Sequence, residues 1–327
     1  MRKLDQTSLR PELPTGRSFQ VIGFGENAVD LVCRVPHFPE NDSKVRMERM
    51  RQLGGGQVAT ACSFCARYGL KTRYIGCVGD DDLGEFARRD LSKEPMDVLL
   101  DTVRGSTSHL SIIIVDRLTG SRTIVWDRDP KLKYEKSEIN KASLIDGQVL
   151  HLDANDLAAS IHAARWAKES GMKVCLDIDR VEPGVKDLLA LVDYLIPNTA
   201  FVLKFAETSD WRYGLEAVDR HCPGIVIVTR GALGAAVWWD GEIFEFPAYT
   251  IKTVDSTGAG DVFHGAFLFG LFRGWTLGHC LEFCNAAGAL ACTKLGARAG
   301  IPDYSEVLPL VTTRVPDFAQ MNGAGRM

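Results

Sequence analysis

The chain has 327 residues, of which 46% are hydrophobic and 24% are charged, and its net charge is −4. This length and composition suit one large α/β domain, and the lack of a strongly basic run argues against a nucleic-acid partner. The N-terminal segment is polar, and no stretch approaches the roughly 18 uninterrupted apolar residues of a membrane helix. We therefore expect a cytoplasmic protein with no membrane partner.

Apolar stretches that suit strands alternate along the chain with amphipathic stretches that suit helices. Strands are predicted at 19–24, 72–78, 149–152, 174–178, 194–196 and 225–229. Helices are predicted at 58–68, 84–91, 158–169, 262–273 and 277–294. Such alternation predicts a mostly parallel central sheet with helices on both faces.

Two segments, 31–53 and 106–128, depart from this alternation. They show β-type patterns with a turn around Thr119 and Gly120, and neither is followed by a crossover helix. We expect them to form a small separate sheet, a β lid; the alternative is two hairpins at an edge of the main sheet. The predicted division is an α/β core of 18–32, 54–105 and 129–316, a lid of 33–53 and 106–128, and flexible tails at 1–17 and 317–327.

Nine cysteines are spread through apolar stretches. The one pair at metal-like spacing, Cys62 and Cys65, has no second pair at a distance that suits zinc. Cys280 and Cys284 are four residues apart on a predicted helix, which is ordinary core spacing. We expect all nine thiols to be reduced and buried.

Gly23, Gly25 and Ala28 follow a predicted strand and superficially resemble a dinucleotide-binding fingerprint. That motif requires a helix directly behind it. Here β-branched residues follow instead, closed by Pro36 and Pro39. The chain also contains no Gly-Lys dipeptide, which excludes a phosphate-binding loop of the Walker A type.

The stretch VDSTGAGDVFHGAF, residues 254–267, places Gly258, Ala259 and Gly260 at the start of a predicted helix. Backbone N–H groups at such a position bind anions, and Asp261 lies in the first turn beside them. A carboxylate next to a bound phosphate suits a general base for an attacking hydroxyl. The alternative is a capping aspartate at a glycine-rich turn. His264 lacks a partnered nucleophile and is expected to be a wall residue.

A second stretch, GGGQVATACSFCARYGLKTRYIGCVGDDDLGE at 54–85, precedes the first at a distance of most of the chain. Together the two stretches resemble the signatures of the ribokinase-like (PfkB) family of carbohydrate kinases, and the order agrees over 21–302. The resemblance implies a ribokinase-like α/β fold with a β lid, ATP as phosphoryl donor and Mg²⁺.

The resemblance also implies roles for individual residues. It makes Asp261 the catalytic base, with the N–H groups of Gly258, Ala259 and Gly260 as the anion hole. Substrate-side positions that match are Asp30, Gly55, Gly56 and Thr60. Nucleotide-side positions that match are Asn198, Thr229, Gly231, Gly234 and Asn285. Asp255 and Gly296 match positions around a monovalent cation, K⁺, in some members.

Two positions depart from the family pattern. Thr60 replaces an asparagine that commonly contacts the sugar, which argues for a substrate other than ribose. Phe201 replaces the glutamate of an Asn-x-x-Glu motif that begins at Asn198, so Mg²⁺ would be held mainly through phosphate oxygens and water. Thr60 and the ending GARAGIPD resemble the branch that contains sulfofructose kinase. Lys44 in the lid could meet an anionic substituent, and the alternative is an ordinary exposed lysine. Asn155 follows the strand at 149–152 and is neutral, so it supplies no second cation for such a substituent.

The leading functional hypothesis is an ATP-dependent sugar kinase that phosphorylates a primary hydroxyl. A nucleoside kinase of the same family is the first alternative, for which Trp126 is the single stacking candidate in the lid. A non-catalytic sugar- or nucleotide-binding protein is the second alternative, prompted by Phe201. The expected partner is a small sugar, and the apolar strand at 111–115 suits a homodimer formed through the lid.

Overall fold

The computed structural model describes residue 9 and residues 12–134 and 139–318. Its strands are β1 (Phe19–Phe24), β2 (Ala28–Val35), β3 (Arg49–Gly55), β4 (Thr72–Gly79), β5 (Asp97–Val103), β6 (Leu110–Asp116), β7 (Arg122–Asp127), β8 (Gly147–Leu152), β9 (Lys173–Ile178), β10 (Tyr194–Pro197), β11 (Ile225–Thr229), β12 (Ala235–Trp239) and β13 (Glu242–Phe246).

The helices are α1 (Gln57–Arg67), α2 (Asp82–Leu91), α3 (Lys141–Leu144), α4 (Leu157–Glu169), α5 (Val185–Leu189), α6 (Thr199–Phe205), α7 (Trp211–Asp219), α8 (Ala259–Arg273), α9 (Leu277–Ala291), α10 (Ala297–Gly300) and α11 (Tyr304–Thr312). Within the described ranges, no helix is both long enough and apolar enough to cross a membrane.

Nine strands form the large sheet, in the order β13-β12-β11-β10-β9-β8-β1-β4-β5. The pairs from β11 to β5 are parallel, and β12 and β13 add on antiparallel. Parallel strands end at the same edge of a sheet, so the residues after β1, β8, β9, β10 and β11 meet there.

Alternate residues of the central strands supply two hydrophobic layers. Val149 and Tyr194 pack with residues of α8 and α9 on one face. Leu150 and Leu195 pack with residues of α4 and α5 on the other face. Burial of both faces explains why these strands read as continuous apolar runs.

The remaining four strands form a separate sheet, the lid sheet, in the order β3-β2-β6-β7. Asp30 is in register with Ser111, and Ser111 is in register with Trp126. In-register neighbours of a sheet project from the same face. These three side chains therefore form one row across the lid sheet.

The structure confirms the ribokinase-like α/β class with a mostly parallel sheet and a small β lid, and the alternative of two edge hairpins is wrong. The division of the chain needs correction at both ends of the first lid segment. The lid sheet takes in 28–32 and extends to Gly55, because β2 pairs along its whole length with β3 and β6.

The predicted tails also need correction where they are described. Leu9 is 4% exposed and its N–H donates to the carbonyl of Trp275 over 2.9 Å. Phe318 is 1% exposed and stacks on Phe283. Both belong to the core because apolar burial fixes them there. The remainder of the predicted tails at 1–8, 10–11 and 319–327 lies outside the described residues.

The expectation about cysteines is confirmed for the free thiols but is wrong for the burial of Cys33 and Cys292, which are only partly buried. All nine lie among the described residues and are free thiols, seven of them buried. Burial in apolar surroundings raises the pKa of the Cys62 and Cys65 thiols.

Candidate active site

The N-terminus of α8 is built on a left-handed glycine. Gly258 precedes the helix with φ of 78°, and a Cβ at this position would lie 2.6 Å from the Cα of Ala297. The first N–H groups of a helix have no partner within the helix, which leaves those of Gly258 and Gly260 available to an anion. The N–H of Ala259 already makes a long bond of 3.5 Å to the carbonyl of Ser256. Asp261 follows in the first turn of α8.

Asp255 holds the loop that precedes α8. Its carboxylate accepts hydrogen bonds from the N–H and Oγ1 of Thr257, at 2.9 and 2.7 Å, and from the N–H of Gly296 at 2.8 Å. The side chain is fully buried, and its hydrogen bonds hold the glycine turn in place. Its role toward K⁺ stays a prediction.

One cleft of about 1330 Å³ opens at the carboxyl edge of the large sheet. It is lined by Asp261 and the three residues before it, by Asp30 from the lid sheet, and by residues that follow β9, β10 and β11. A cleft of this size and position is typical of ligand sites in α/β proteins.

Asp30 lies at the sugar end that the resemblance implies. It is 4% exposed, and burial raises the pKa of its carboxyl to about 7, while the Arg298 guanidinium acts in the opposite direction. A Cβ at Gly55 would lie 2.1 Å from Oδ2 of Asp30. Gly56 has φ of 91° and lines the cleft. The glycine pair thus brings the backbone close to the carboxylate.

Around Asp30 the cleft carries polar side chains that the sequence analysis did not assign. His109 Nδ1 lies 2.7 Å from Oε1 of Glu26. Trp126 of the lid sheet faces His109 at 5.6 Å between ring centroids, and the Arg180 guanidinium lies 5.4 Å from the Trp126 ring. Arg180 also donates to the side-chain oxygen of Asn155.

The nucleotide-side residues that the resemblance implies lie together at the other end of the cleft, and all of them line it: Asn198, Thr229, Gly231, Gly234 and Asn285. The Asn198 side chain caps α6 by accepting from the N–H of Phe201 over 2.8 Å. Asn285 donates to the carbonyl of Phe246 over 3.0 Å. Their amides therefore shape the wall as well as lining it.

Carboxylates crowd the middle of the cleft. Asp177 ends β9, and its Oδ1 lies 3.3 Å from Nε2 of His264 on α8. Burial raises the pKa of Asp177 and of Asp261 well above the ordinary value, and in Asp261 the charge of Asp177 adds to this effect. Arg122 of the lid sheet opposes it and donates to Oγ of Ser256 over 2.7 Å.

Three of the predicted substrate residues, Gly55, Thr60 and Lys44, do not line the cleft. Thr60 is fully buried inside α1, and its hydroxyl has no hydrogen-bond partner among the described residues. Gln57, one turn earlier, lines the cleft instead. Lys44 is exposed in the connection between β2 and β3. Phe201 is fully buried against the core, so no carboxylate is available at that position.

Some cleft residues were missed for a reason that the topology makes clear. The sequence analysis predicted a strand that contains Asp177 near its end and is followed by Asp179 and Arg180. Residues at the carboxyl end of a parallel strand commonly carry function. Their position in the sequence could therefore have identified them as site residues. Glu26 and His109 had no signal of this kind, because lid pairing alone brings them together.

Comparisons with known proteins agree with this geometry. Residues 19–304 match the model of the pfkB family of carbohydrate kinases. An ATP-dependent ribose-1-phosphate kinase from Halopiger xanaduensis is 31% identical, and the match covers 86% of this chain and 94% of that protein. A ribokinase from Haemophilus influenzae is 27% identical, with 87% and 95% covered.

Solved structures share the fold. The Arabidopsis thaliana ribokinase complexed with ribose and ATP superposes with a TM-score of 0.74 at 20% identity, covering 90% of this chain and 98% of that one. An E. coli structure in complex with ATP and Mg²⁺ gives a TM-score of 0.76 at 22% identity, with 90% and 100% covered. The chain belongs to the pfkB family of carbohydrate kinases, ATP-binding phosphotransferases that act on an alcohol group.

Proposed function

We propose that the protein transfers the γ-phosphoryl group of ATP to a primary hydroxyl of a sugar, with Asp261 as general base. The observation that carries this proposal is the position of Asp261 in the first turn of α8, within one cleft shared with Asp30 and the nucleotide-side residues. The base and the hydroxyl-binding carboxylate thereby face the same bound molecule.

The proposed mechanism uses Asp261 in its ionised form. The carboxylate accepts the proton of the attacking hydroxyl, and the N–H groups at 258–260 bind the charge that develops on the transferring phosphoryl group. Burial and Asp177 raise the pKa of Asp261, so the base holds a proton more strongly than an exposed aspartate. Arg122 favours the ionised form.

The donor set of the cleft fits the Mg²⁺ that accompanies ATP. Mg²⁺ prefers oxygen ligands and keeps several waters, and the Asp177 and Asp179 carboxylates line the cleft where the side chain of Phe201 offers no oxygen. When bound, the ion neutralises phosphate charge. Asp177 would hold it, directly or through water, in place of the missing glutamate.

Arg180 supports an acidic sugar as the substrate. Its side chain is 41% exposed and lines the cleft, and its contacts with Asn155 and Asp179 engage one Nη2 donor and Nε. A guanidinium has five N–H donors in a planar fork that suits carboxylate, phosphate or sulfonate groups. Arg180 therefore supplies the second cation for an anionic substituent, which the neutral Asn155 does not provide. The Halopiger relative is named for a phosphorylated sugar.

The base is tested with Asp261→Asn, and exposed Asp187 on α5 provides the matched control Asp187→Asn. ADP release is measured with a panel of neutral sugars, sugar acids, sugar phosphates, sulfosugars and nucleosides. Asp261→Asn should lower kcat by about 10²- to 10⁴-fold, and Asp187→Asn should leave it unchanged. Undiminished turnover by Asp261→Asn would refute the base, and a folded wild type inactive on the whole panel would favour a binding protein.

The substrate class is tested with Arg180→Ala, and exposed Arg165 on α4 provides the matched control. Arg180→Ala should raise KM for acidic sugars by about tenfold or more, in line with the loss of a charge-assisted hydrogen bond, and leave neutral sugars unaffected. If the wild type prefers neutral sugars and Arg180→Ala has the same KM values, the proposal of an acidic substrate is wrong, while the kinase proposal stands.

A nucleoside kinase is the second candidate, and Trp126 is the observation that favours it. The ring lines the cleft from the lid sheet and is half exposed, as a stacking partner for a base must be. Arg180 and His109 already lie against this ring. Turnover of nucleosides in preference to sugars in the panel would select this candidate.

We also propose a homodimer through the outer face of the lid sheet, which is opposite the row of Asp30, Ser111 and Trp126. Ile112 and Val125 are in register on that outer face and are 40% and 58% exposed. Met50 lies on the same face and is 55% exposed. A second copy of the lid sheet would cover this apolar surface.

A further inference from the structure

Beneath the cleft, three side chains with metal-binding atoms meet in the core. His151 on β8 and Cys175 on β9 are cross-strand neighbours in register. His264 on α8 packs over them, with its ring centroid 5.3 Å from that of His151. One ligand atom from each of the three lies within 4.8 Å of those of the other two, and all three residues are buried.

The cluster leaves polar atoms unsatisfied. Both ring nitrogens of His151 and Nδ1 of His264 are buried and have no hydrogen-bond partner among the described residues. Leaving such an atom unpaired in a protein interior is costly, so buried polar groups normally have partners. An imidazole nitrogen without a proton has a lone pair to offer to a metal ion.

A carboxylate stands behind one of the histidines. Oδ1 of Asp177 lies 3.3 Å from Nε2 of His264, which leaves Nδ1 for another partner. Histidines that bind metal commonly direct their second nitrogen to a carboxylate in this way. His264 also lines the cleft, so the cluster lies directly beneath it.

We propose that His151, Cys175 and His264 form a transition-metal site with Zn²⁺ as its preferred ion. Two imidazoles and one thiolate match the ligands that Zn²⁺ takes, whereas Mg²⁺ prefers oxygen, so this site is separate from that of the nucleotide's metal. Zinc bonds of about 2.0–2.3 Å require ligand atoms about 3.3–3.8 Å apart. The three side chains therefore draw together on binding, and the fourth position faces the cleft.

Binding includes one proton transfer. The Cys175 thiol loses its proton to solvent as the sulfur–metal bond forms, and no oxidation or reduction occurs. Because the thiol must lose its proton to bind, affinity falls as the pH is lowered. The bound charge lies beside Asp177, which is next to the proposed base.

The experiment uses the untagged full-length chain, stripped with a chelator and checked by circular dichroism. Zn²⁺ is titrated against a chromogenic competitor, and Co²⁺ is added separately to look for a thiolate-to-cobalt absorption band. About one equivalent of each ion should bind per chain. Cys175→Ser should abolish the cobalt band and lower the affinity for Zn²⁺ by at least about tenfold. His151→Gln should lower the affinity for Zn²⁺ by at least about tenfold as well. Asp177→Asn should lower it by about 10- to 100-fold.

The matched control is Cys222→Ser, since Cys222 is an equally buried thiol on the opposite face of the sheet. It should retain both the stoichiometry and the cobalt band. A folded wild type that takes up neither ion would overturn the proposal. So would binding that survives unchanged in both Cys175→Ser and His151→Gln. If Cys175→Ser fails to fold, His151→Gln with the wild-type cobalt spectrum decides the question.

Discussion

The Asp30 carboxylate lies against the backbone of Gly55 so closely that a Cβ there would stand 2.1 Å from Oδ2. Asp30 lies on β2 and Gly55 ends the adjacent strand β3, so strand pairing sets this contact. The backbone amide beyond Gly55 can approach a ligand held by Asp30 only while position 55 lacks a side chain.

Gly55→Ala should therefore displace Asp30 and weaken sugar binding. We expect kcat/KM for the sugar to fall by about 10- to 100-fold, the size of one lost hydrogen bond to a charged group, while KM for ATP changes little. Gly69→Ala is the control, because φ of 84° makes it destabilising although no atom lies near. Gly69→Ala should lower Tm with an unchanged sugar KM; equal kinetic losses in both variants would contradict the prediction.

Sugar affinity should rise with pH through the pKa of Asp30, which is about 7. Only the ionised carboxylate accepts hydrogen bonds at both oxygens, and the ionised fraction grows about tenfold between pH 6 and pH 8 for such a pKa. The raised pKa also means that the free protein loses stability as pH rises from the unfolded value of about 3.9 through 7. Calorimetric Kd values and Tm across this pH range measure both effects.

Asp30→Asn should bind sugar weakly at every pH, and neither its sugar affinity nor its Tm should show the pH dependence described for Asp30. Asp153→Asn is the matched control: burial raises the Asp153 pKa to about 7 as well, but its carboxylate accepts from the Glu26 N–H beneath the cleft and does not line it. This control should keep the pH dependence of sugar affinity. A slope that persists in Asp30→Asn would assign it to another group.

Two glycines of the anion hole should respond differently to alanine. A Cβ at Gly258 would meet Ala297, whereas a Cβ at Gly260 has no atom within 4 Å and projects into open space. Gly258→Ala should lower both Tm and kcat. Gly260→Ala should keep or raise stability by about 0.5–1 kcal/mol yet lower kcat by about 10²-fold or more, because its methyl fills the place of the phosphoryl group. Thermal melts measure the effect on stability, and steady-state kinetics measure the effect on kcat. A fully active Gly260→Ala would show that the phosphoryl group does not bind in the space beside Gly260.

The lid homodimer predicts a change of mass on a single substitution. Val125→Asp places a charge in the apolar outer face of the lid sheet and should convert a dimer into a monomer. Leu118→Asp is the matched control, since Leu118 is 75% exposed but lies in the turn between β6 and β7. Light scattering after gel filtration gives the mass. A monomeric wild type, or a dimer that survives Val125→Asp, would exclude this interface.

Local sequence signals predicted the strands of the core well because burial on both faces leaves continuous apolar runs. The predicted strand at 19–24 coincides with β1, and the first turn of α8 was placed from its glycines. Helix α6, which contains Phe201, and helix α7 were missed because neither shows a long amphipathic repeat. The lid sheet was predicted, but not that β2 begins at Ala28, since only pairing with β3 reveals it.

The site was predicted less completely than the fold. Asp261, Asp30 and the nucleotide-side residues share one cleft, as the family signatures imply. Thr60 turned out to be buried because α1 presents that side to the core, which a motif does not specify. In the cluster of His151, Cys175 and His264, the two histidines are more than a hundred positions apart in the chain. Such a contact follows from strand order, which apolar periodicity does not encode.

The three-residue step from β1 to β2 carries the chain from the large sheet into the lid sheet. Asp30 therefore lies on the lid sheet, and Asp261 lies on α8, which packs on the large sheet. Under the proposed function, a sugar long enough to bond both carboxylates spans the two parts, whereas a water molecule reaches Asp261 alone. Selection against hydrolysis of ATP would then rest on the length of the acceptor, and a truncated sugar should be rejected as water is.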